Sequence, residues 1–182
     1  MQRFAFRARN VTALILVAAV GSTARAADKS EFARTTIDLG TVVSDAVKSV
    51  KFYTEAIGVK EAPGFSVSAE FCADAGLDDE TLNIHVLVLG DGATATKLKL
   101  MEVPGAASKK NDTTYVHSQL GFRYLTIYVA DATAALERLK KAGVKPLAKG
   151  PVPLPAGLPA GMTLAVVRDP DGNMVELIGP KR

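Results

Sequence analysis

Glu176 is a carboxylate among apolar residues, and this setting suggests a functional role. It stands in RDPDGNMVELIGP, residues 168–180, with Met-Val before it and Leu-Ile after it. A buried strand avoids an unpaired carboxylate, because moving the charge out of water is costly. The side chain is therefore expected to face a metal ion, a cation of the protein itself, a ligand or water.

Two other residues of chemically active type have plainer settings. Cys72 is the single cysteine, so the chain has no internal disulfide, and the sequence identifies no activating neighbour for its thiol. His85 lies in the strand-like run TLNIHVLVLG. We expect a small buried residue at 72 and an ordinary strand residue at 85.

An internal repeat predicts the elements that position these side chains. Residues 42–64 and 128–150 share one plan: a β-type run, an aspartate, a helical pattern and Gly-Val-Lys. Asp45 and Asp131 are expected to cap their helices by accepting hydrogen bonds from free amides of the first turn. Glycines 58 and 143 are expected to end the helices in the left-handed conformation.

Each half of the chain is predicted to run β-α-β-β-β. The opening strands lie in TTIDLGTVVSD and GFRYLTIYVAD, which are rich in β-branched and aromatic residues. The later strands are predicted at about 61–68, 82–89 and 96–103, and at about 145–148, 162–168 and 173–178. The Pro-rich segment 150–161 is predicted to be a loop over a cavity mouth.

The first 26 residues are typical of a secretory signal peptide. Three arginines precede the apolar run VTALILVAAVG, and small residues end at Ala26. The run, at roughly 10 residues, is too short to cross a bilayer as a helix, which needs about 20. We therefore expect a secreted or periplasmic protein that is cleaved near Ala26 and has no membrane span in its mature form.

The mature part of the chain carries little net charge. The sequence has 22 basic and 19 acidic residues. Four arginines belong to the leader, which leaves 18 basic against 19 acidic residues. No basic stripe remains of the kind that nucleic acid binding requires. The length suits one domain, or one domain built from two similar halves.

The repeat, together with FYTEAIGV in the first half and RDPDGNMVEL closing the second, resembles the vicinal oxygen chelate superfamily of glyoxalases, bleomycin-resistance proteins and dioxygenases. The resemblance covers about residues 34–180. It implies an α+β fold in which two tandem βαβββ modules form a curved mixed sheet around one cavity. The implied segments are the first module 34–103, the link 104–120 and the second module 121–180, after the leader 1–26.

In metal-using members of that family, four side chains from four strands hold a divalent cation. The resemblance places these positions at Asp38, Lys99, Tyr124 and Glu176. Glu176 keeps the usual residue type, whereas Lys99 argues against a metal, because an ammonium has no lone pair and repels a cation. The resemblance thus implies a degenerate metal site, and no cofactor is favoured.

Strand alternation places these four residues on the more polar face of their strands. The same face carries three further candidate cavity residues, Met101, Thr126 and Tyr128. We expect this face to be concave and to bind a small molecule. Within it, we expect Lys99 to pair with Glu176, while Asp38 and the Tyr124 hydroxyl complete a polar cluster.

Three functions stay open at this point. The leading one is an exported protein that binds a small molecule without the usual metal. The alternative is a metal-dependent lyase, isomerase or dioxygenase of the glyoxalase-like family. In it, a β-bulge at 100–101 would turn Glu102 inward to join Asp38 and Glu176 around Mg²⁺, Mn²⁺, Fe or Zn²⁺. The third is an interaction module with a filled cavity. A homodimer also stays open, because some relatives build the cavity across a dimer.

Overall fold

The computed structural model describes residues 32–106 and 108–182. The chain divides into a unit of residues 1–33 and a unit of residues 34–182, and the fold below is that of the second unit. The signal peptide predicted for residues 1–26 lies outside the described residues. Within the described residues, no helix combines the length and the apolar character needed to cross a membrane.

The first module forms a four-stranded sheet with two helices. Its elements are β1 (Leu39–Val42), α1 (Ala46–Lys51), β2 (Lys60–Val67), α2 (Ala69–Asp74), β3 (Leu82–Leu89) and β4 (Thr96–Glu102). A π-helical segment, Phe52–Ile57, continues α1. The strand order is β1-β4-β3-β2, with β1 parallel to β4 and the other pairs antiparallel.

The second module repeats this plan. Its elements are β5 (Tyr124–Tyr128), α3 (Ala132–Lys141), β6 (Val152–Pro153), β7 (Met162–Arg168) and β8 (Met174–Pro180). The strand order is β5-β8-β7-β6, with β5 parallel to β8. The α+β fold of two βαβββ modules is therefore confirmed, and its eight strands divide between two four-stranded mixed sheets.

Two local predictions differ from the structure. Residues 145–148 do not form a strand, although the Leu147 amide donates to the Val166 carbonyl at 2.8 Å. Pro146 lacks an amide hydrogen for a ladder there, and the edge strand forms instead at Val152–Pro153. The short helix α2 was not predicted from the sequence, although the Ser68 hydroxyl that accepts from the Phe71 amide is a typical helix cap.

The predicted helix ends are confirmed. Asp45 accepts from the amide of Lys48 at 2.9 Å, and Asp131 accepts from the amide of Thr133 at 2.8 Å. Gly58 has φ of 90° and Gly143 has φ of 74°, both in the left-handed region. The repeat in the sequence is thus a repeat of capped helices that return the chain to the sheet.

The main hydrophobic core joins the helices of both modules to one face of each sheet. It contains Tyr53 and Ala56 of the π-helical segment and Leu139 of α3, with sheet residues such as Leu100 and Val175. The Arg138 guanidinium donates to the carbonyls of residues 56 and 57 at 3.1 and 2.7 Å. It therefore satisfies helix-end carbonyls across the junction between the modules.

Asp169 of the closing motif is a buried hydrogen-bond centre. Its carboxylate accepts from the amides of Asp171 and Asn173 at 3.0 and 2.8 Å, and from the Asn173 side chain at 2.9 Å. It also accepts from the Tyr53 hydroxyl at 3.0 Å. The motif RDPDGN thus forms the β7–β8 turn and attaches it to the first module, which fixes the start of the strand that carries Glu176.

Candidate ligand-binding face

The two modules place the four family positions at equivalent points. Lys99 lies beside Gly40 in the parallel β1–β4 ladder, and Glu176 lies beside Thr126 in the parallel β5–β8 ladder. We call the side of each sheet that carries Lys99 or Glu176 the site face. The opposite side of each sheet packs on α1, the π-helical segment and α3.

Asp38 is the centre of a charged group at the entrance to β1. Its Oδ2 lies 2.9 Å from Nη2 of Arg34 and 3.2 Å from Nζ of Lys99. The hydrogen bond from Arg34, with a smaller contribution from Lys99, holds the pKa of Asp38 below its ordinary value against the opposing effect of burial. Oδ1 of Asp38 is buried without a hydrogen-bond partner within the described residues.

The expected pairing of Lys99 with Glu176 is wrong. Lys99 pairs with Asp38, and Glu176 takes part in no ion pair among residues 32–106 and 108–182. The reason is topological: Asp38 leads into the strand that is paired with β4, whereas Glu176 belongs to the other sheet. Arg34, which the sequence did not mark because it lies before the strand pattern, is the second cation on Asp38.

Glu176 instead accepts a hydrogen bond from the Thr126 hydroxyl at 2.7 Å. Along β5, Tyr124 and Tyr128 lie two residues to either side of Thr126, so they share its face. They are 53% and 72% exposed. Diagonal neighbours across a strand pair are within reach of aromatic side chains. The second site face therefore carries a partly buried carboxylate on β8 and two exposed tyrosines on the neighbouring strand β5.

Glu102 does not reach the site face. The β3–β4 ladder runs in continuous register from Asn83–Glu102 to Leu89–Thr96, so the bulge considered at 100–101 does not form. Glu102 lies on the helix side of the sheet, where its carboxylate accepts from the Ala46 amide at 3.2 Å at the start of α1. The alternative ligand set of Asp38, Glu102 and Glu176 is therefore not brought together.

The four family positions do not fit a divalent cation. Two protein cations occupy the Asp38 carboxylate, and one of them, Lys99, itself stands at a ligand position. Within the described ranges, no three His, Cys, Asp or Glu side chains are grouped so that they could hold a metal. We therefore assign no metal-dependent step to these residues.

The site face of the first module is covered by α2. Cys72 of this helix is fully buried and packs with Ile84 and Val86. In the β3–β4 ladder these residues lie opposite Met101 and Lys99, which places the cluster on the site face. Met101 packs against the same cluster. The chain's own apolar side chains thus occupy much of this half.

The second module leaves a cavity on its site face. A space of about 440 Å³ is lined by residues 146–150, by Val152, by residues 164–166 of β7, and by Met174. Glu176 does not line this cavity itself, but it is the direct neighbour of the lining residue Val166 in the β7–β8 ladder. Strand alternation predicts which β7 side chains lie on the site face, but no local pattern predicts that residues 146–150 run beside β7, where the Leu147 amide donates to the Val166 carbonyl. Val152 also places the start of the predicted loop 150–161 in the cavity wall.

A smaller cleft of about 140 Å³ lies between the modules. Its walls include Gly40, Phe122, Tyr124 and Met174. Met174 borders both this cleft and the larger cavity. Tyr124 therefore lies where the two spaces approach each other, while Thr126 and Tyr128 continue the same strand face.

Solved structures with a similar fold include proteins of the glyoxalase family. A glyoxalase family protein from Bacillus cereus has a TM-score of 0.67 and 19% identity, covering 86% of this chain and 100% of that one. A glyoxylase/bleomycin resistance protein/dioxygenase domain from Frankia sp. has a TM-score of 0.56 and 21% identity, covering 84% and 95%. At these identities, the likeness shows the fold alone.

Glyoxalase I from Zea mays has a TM-score of 0.59 and 25% identity, covering 81% of this chain and 45% of the maize chain. This chain therefore spans about half the length of that enzyme. No sequence among the curated proteins matches it significantly. The model of one protein family matches residues 36–177, nearly the whole second unit. The chain belongs to the Glyoxalase/Bleomycin resistance protein/Dioxygenase superfamily.

Proposed function

We propose that this protein binds a small molecule on the site face of its second module, without a divalent metal at the four family positions. The observation that carries the proposal is the asymmetry of the two site faces. Cys72 and α2 cover the part of the first that β3 and β4 form. The second has a cavity of about 440 Å³ lined by Val166, the direct neighbour of Glu176. Sites for small ligands commonly enclose about 300–1,000 Å³.

This face offers two kinds of contact to a ligand, apolar surface and a fixed polar group. Leu164, Val166 and Met174 offer apolar surface, and burying about 100 Å² of apolar ligand surface contributes roughly 2.5 kcal/mol before the entropy cost of association. The Thr126 hydroxyl holds one carboxylate oxygen of Glu176 at 2.7 Å. Fixed polar groups of this kind orient a ligand within an otherwise apolar site.

Native mass spectrometry of protein purified from its host tests the proposal. We expect a non-covalent adduct of low mass that is lost in Val166→Trp, because the larger side chain fills the cavity. Val47→Trp is the matched control, since Val47 is exposed on α1 and the adduct should remain. An adduct that persists equally in both variants, or no adduct on the unsubstituted protein, would overturn the proposal.

The alternative is a metal-dependent lyase, isomerase or dioxygenase with an atypical ligand set. The 25% identity to maize glyoxalase I supports it, whereas Lys99 and Arg34 around Asp38 oppose it. Elemental analysis, with melting curves in the presence and absence of a chelator, decides between them. We expect no stoichiometric metal and no shift with chelator. One tightly held divalent ion per chain would favour the alternative.

We also infer that the protein is exported to the periplasm or the medium. The support is the order of arginines, short apolar run and small residues up to Ala26. Mass spectrometry of the secreted or periplasmic product should give a chain that begins at Ala27. Recovery of the intact chain from the cytoplasm alone would contradict export.

A homodimer stays a prediction, with a second copy of this chain as the partner. Leu120 and Phe122 near the end of the link are fully exposed, and exposed apolar side chains in one region are common at interfaces. Light scattering after gel filtration should give the mass of a dimer, and Phe122→Glu should shift it towards the monomer. Val47→Glu, at an exposed helix position, is the control. An unchanged monomer mass throughout would exclude the dimer.

A further inference from the structure

We propose that the ligand of this face carries a cationic amine attached to an apolar body. The inference rests on the proposed binding function and names the chemical class that the site selects. Its basis is the juxtaposition of Glu176, the rings of Tyr124 and Tyr128, and the apolar cavity beside Val166.

Among the described residues, no cation forms an ion pair with Glu176. The described hydrogen bond of Glu176 comes from the neutral hydroxyl of Thr126. A partly buried carboxylate attracts a cation more strongly than an exposed one, because less water screens it. A ligand cation would supply the missing partner.

Nearby protein cations are directed elsewhere. Arg168 shares the face of Glu176, but its Nη1 donates to Oγ1 of Thr113 at 2.5 Å and to the carbonyl of Gly172 at 2.9 Å. Its Nη2 donates to the Thr113 carbonyl at 2.5 Å. Lys99 is held by Asp38. These contacts hold both cations away from Glu176.

Lys149 is the charged residue that lines the cavity. It is exposed and makes no ion pair among the described residues, so water screens its charge. It lies on the segment that runs beside the edge of β7, whereas Glu176 lies on β8. The exposed ammonium of Lys149 therefore does not prevent a cationic ligand group from binding at Glu176.

The two tyrosines add a second attraction for the same kind of group. Tyr124 and Tyr128 lie on either side of Thr126 on the Glu176 face, and both are exposed. The face of an aromatic ring attracts a cation within about 6 Å of its centre. An amine held at Glu176 would lie in reach of both rings and gain this cation–π attraction. An anionic or neutral head group would not gain it.

The β7–β8 ladder indicates where the apolar part of the ligand would bind. Val166 is the direct neighbour of Glu176 across that ladder and lines the cavity. Leu164 and Met174 extend the apolar surface on the same face. A molecule with its ammonium at Glu176 can therefore lay its hydrocarbon part into the cavity without turning away from the carboxylate.

Calorimetry with three probes that share one eight-carbon chain tests the inference: n-octylamine, n-octanol and n-octanoate at neutral pH. We expect octylamine to bind with a dissociation constant about tenfold or more below those of the other two, as expected for a charge-assisted contact. Glu176→Gln should bring the three constants to within about twofold. Glu137→Gln on the exposed side of α3 is the matched control and should keep the preference.

Octanol or octanoate binding as tightly as octylamine would overturn the inference, and so would failure of octylamine to bind. Neither result would contradict the proposed binding function. That function is tested separately, by the low-mass adduct in native mass spectrometry and its loss in Val166→Trp. Circular dichroism should verify that Glu176→Gln is folded. If it is not, Tyr128→Leu at its exposed position provides a second test: it should weaken octyltrimethylammonium binding severalfold, and an unchanged constant would count against the inference.

Discussion

The hydroxyl of Tyr53 donates a hydrogen bond of 3.0 Å to Oδ2 of Asp169, and both residues are buried. Tyr53 comes from the π-helical segment of the first module, and Asp169 comes from the β7–β8 turn of the second. Burial, followed by the negative charge of Asp169, raises the pKa of Tyr53 well above its ordinary value. The phenol therefore stays protonated and remains a donor to the turn that precedes Glu176.

Tyr53→Phe should lower the free energy of unfolding by about 1.5–3 kcal/mol, the usual range for a hydrogen bond to a charged partner. The substitution keeps the ring in the core and removes the donor from a buried carboxylate. Urea unfolding measures the change. Tyr115→Phe, at an exposed position in the link, is the control, and equal losses in the two variants would show that the Asp169 contact contributes nothing.

The stabilising effect of the Tyr53 hydroxyl should also depend on pH. Its pKa is raised in the folded protein, so the contribution is fully present below the ordinary value of 10.0 and is lost as the pH rises above it. The difference in unfolding free energy between the unsubstituted protein and Tyr53→Phe should therefore be constant from pH 7 to about 9 and shrink at higher pH. A difference that grows with pH in that range would contradict the assigned sign.

Asp38 should stabilise the protein at neutral pH and lose that effect in acid. Its pKa is lowered, chiefly by the hydrogen bond from Arg34 and then by Lys99. Its contribution is therefore present above the ordinary value of 3.8 and disappears as the pH falls below it. Asp38→Asn should cost on the order of 1 kcal/mol or less at pH 7, as for partly exposed ion pairs, and nothing near pH 2. Urea titrations at both values measure this, and a cost that persists in acid would contradict it.

Lys99→Ala should destabilise the protein slightly more than Lys97→Ala. Both residues lie on the site face of β4, but Lys99 pairs with Asp38 at 3.2 Å, while no ion pair of Lys97 occurs within the described residues. We expect a difference of about 0.2–1 kcal/mol in unfolding free energy. It should vanish in an Asp38→Asn background. A difference that survives in that background would assign the effect to packing of the Lys99 side chain.

The thiol of Cys72 should be inert while α2 covers the site face of the first module. Cys72 is fully buried, so reaction with an aromatic disulfide reagent should be slow in native buffer and fast in urea. Ser68→Ala removes the hydroxyl that accepts from the Phe71 amide and should speed the native reaction, because an absent cap costs a helix about 1 kcal/mol. Ser118→Ala in the link is the control. A fast native reaction without substitution would mean that α2 does not cover this face.

The sequence by itself determined the elements whose causes are local. The helix caps at Asp45 and Asp131, the glycine ends and the strands around 82–89, 96–103 and 162–168 follow from residue type and from periods of two or 3.6 residues. The repeat of these signals also predicted two modules. Alternation placed Lys99 and Glu176 on the same kind of face in each module, and this needs nothing beyond the strand itself.

The tertiary structure alone decided what these side chains meet. Lys99 contacts Asp38 rather than Glu176 because β4 pairs with β1, and sheet order is set by contacts between residues far apart in the chain. In the same way, continuous register turns Glu102 towards α1, α2 covers one site face, and residues 146–150 line the cavity of the other. These outcomes depend on competition among long-range contacts for the same surface, and no short window of sequence contains both partners of such a contact.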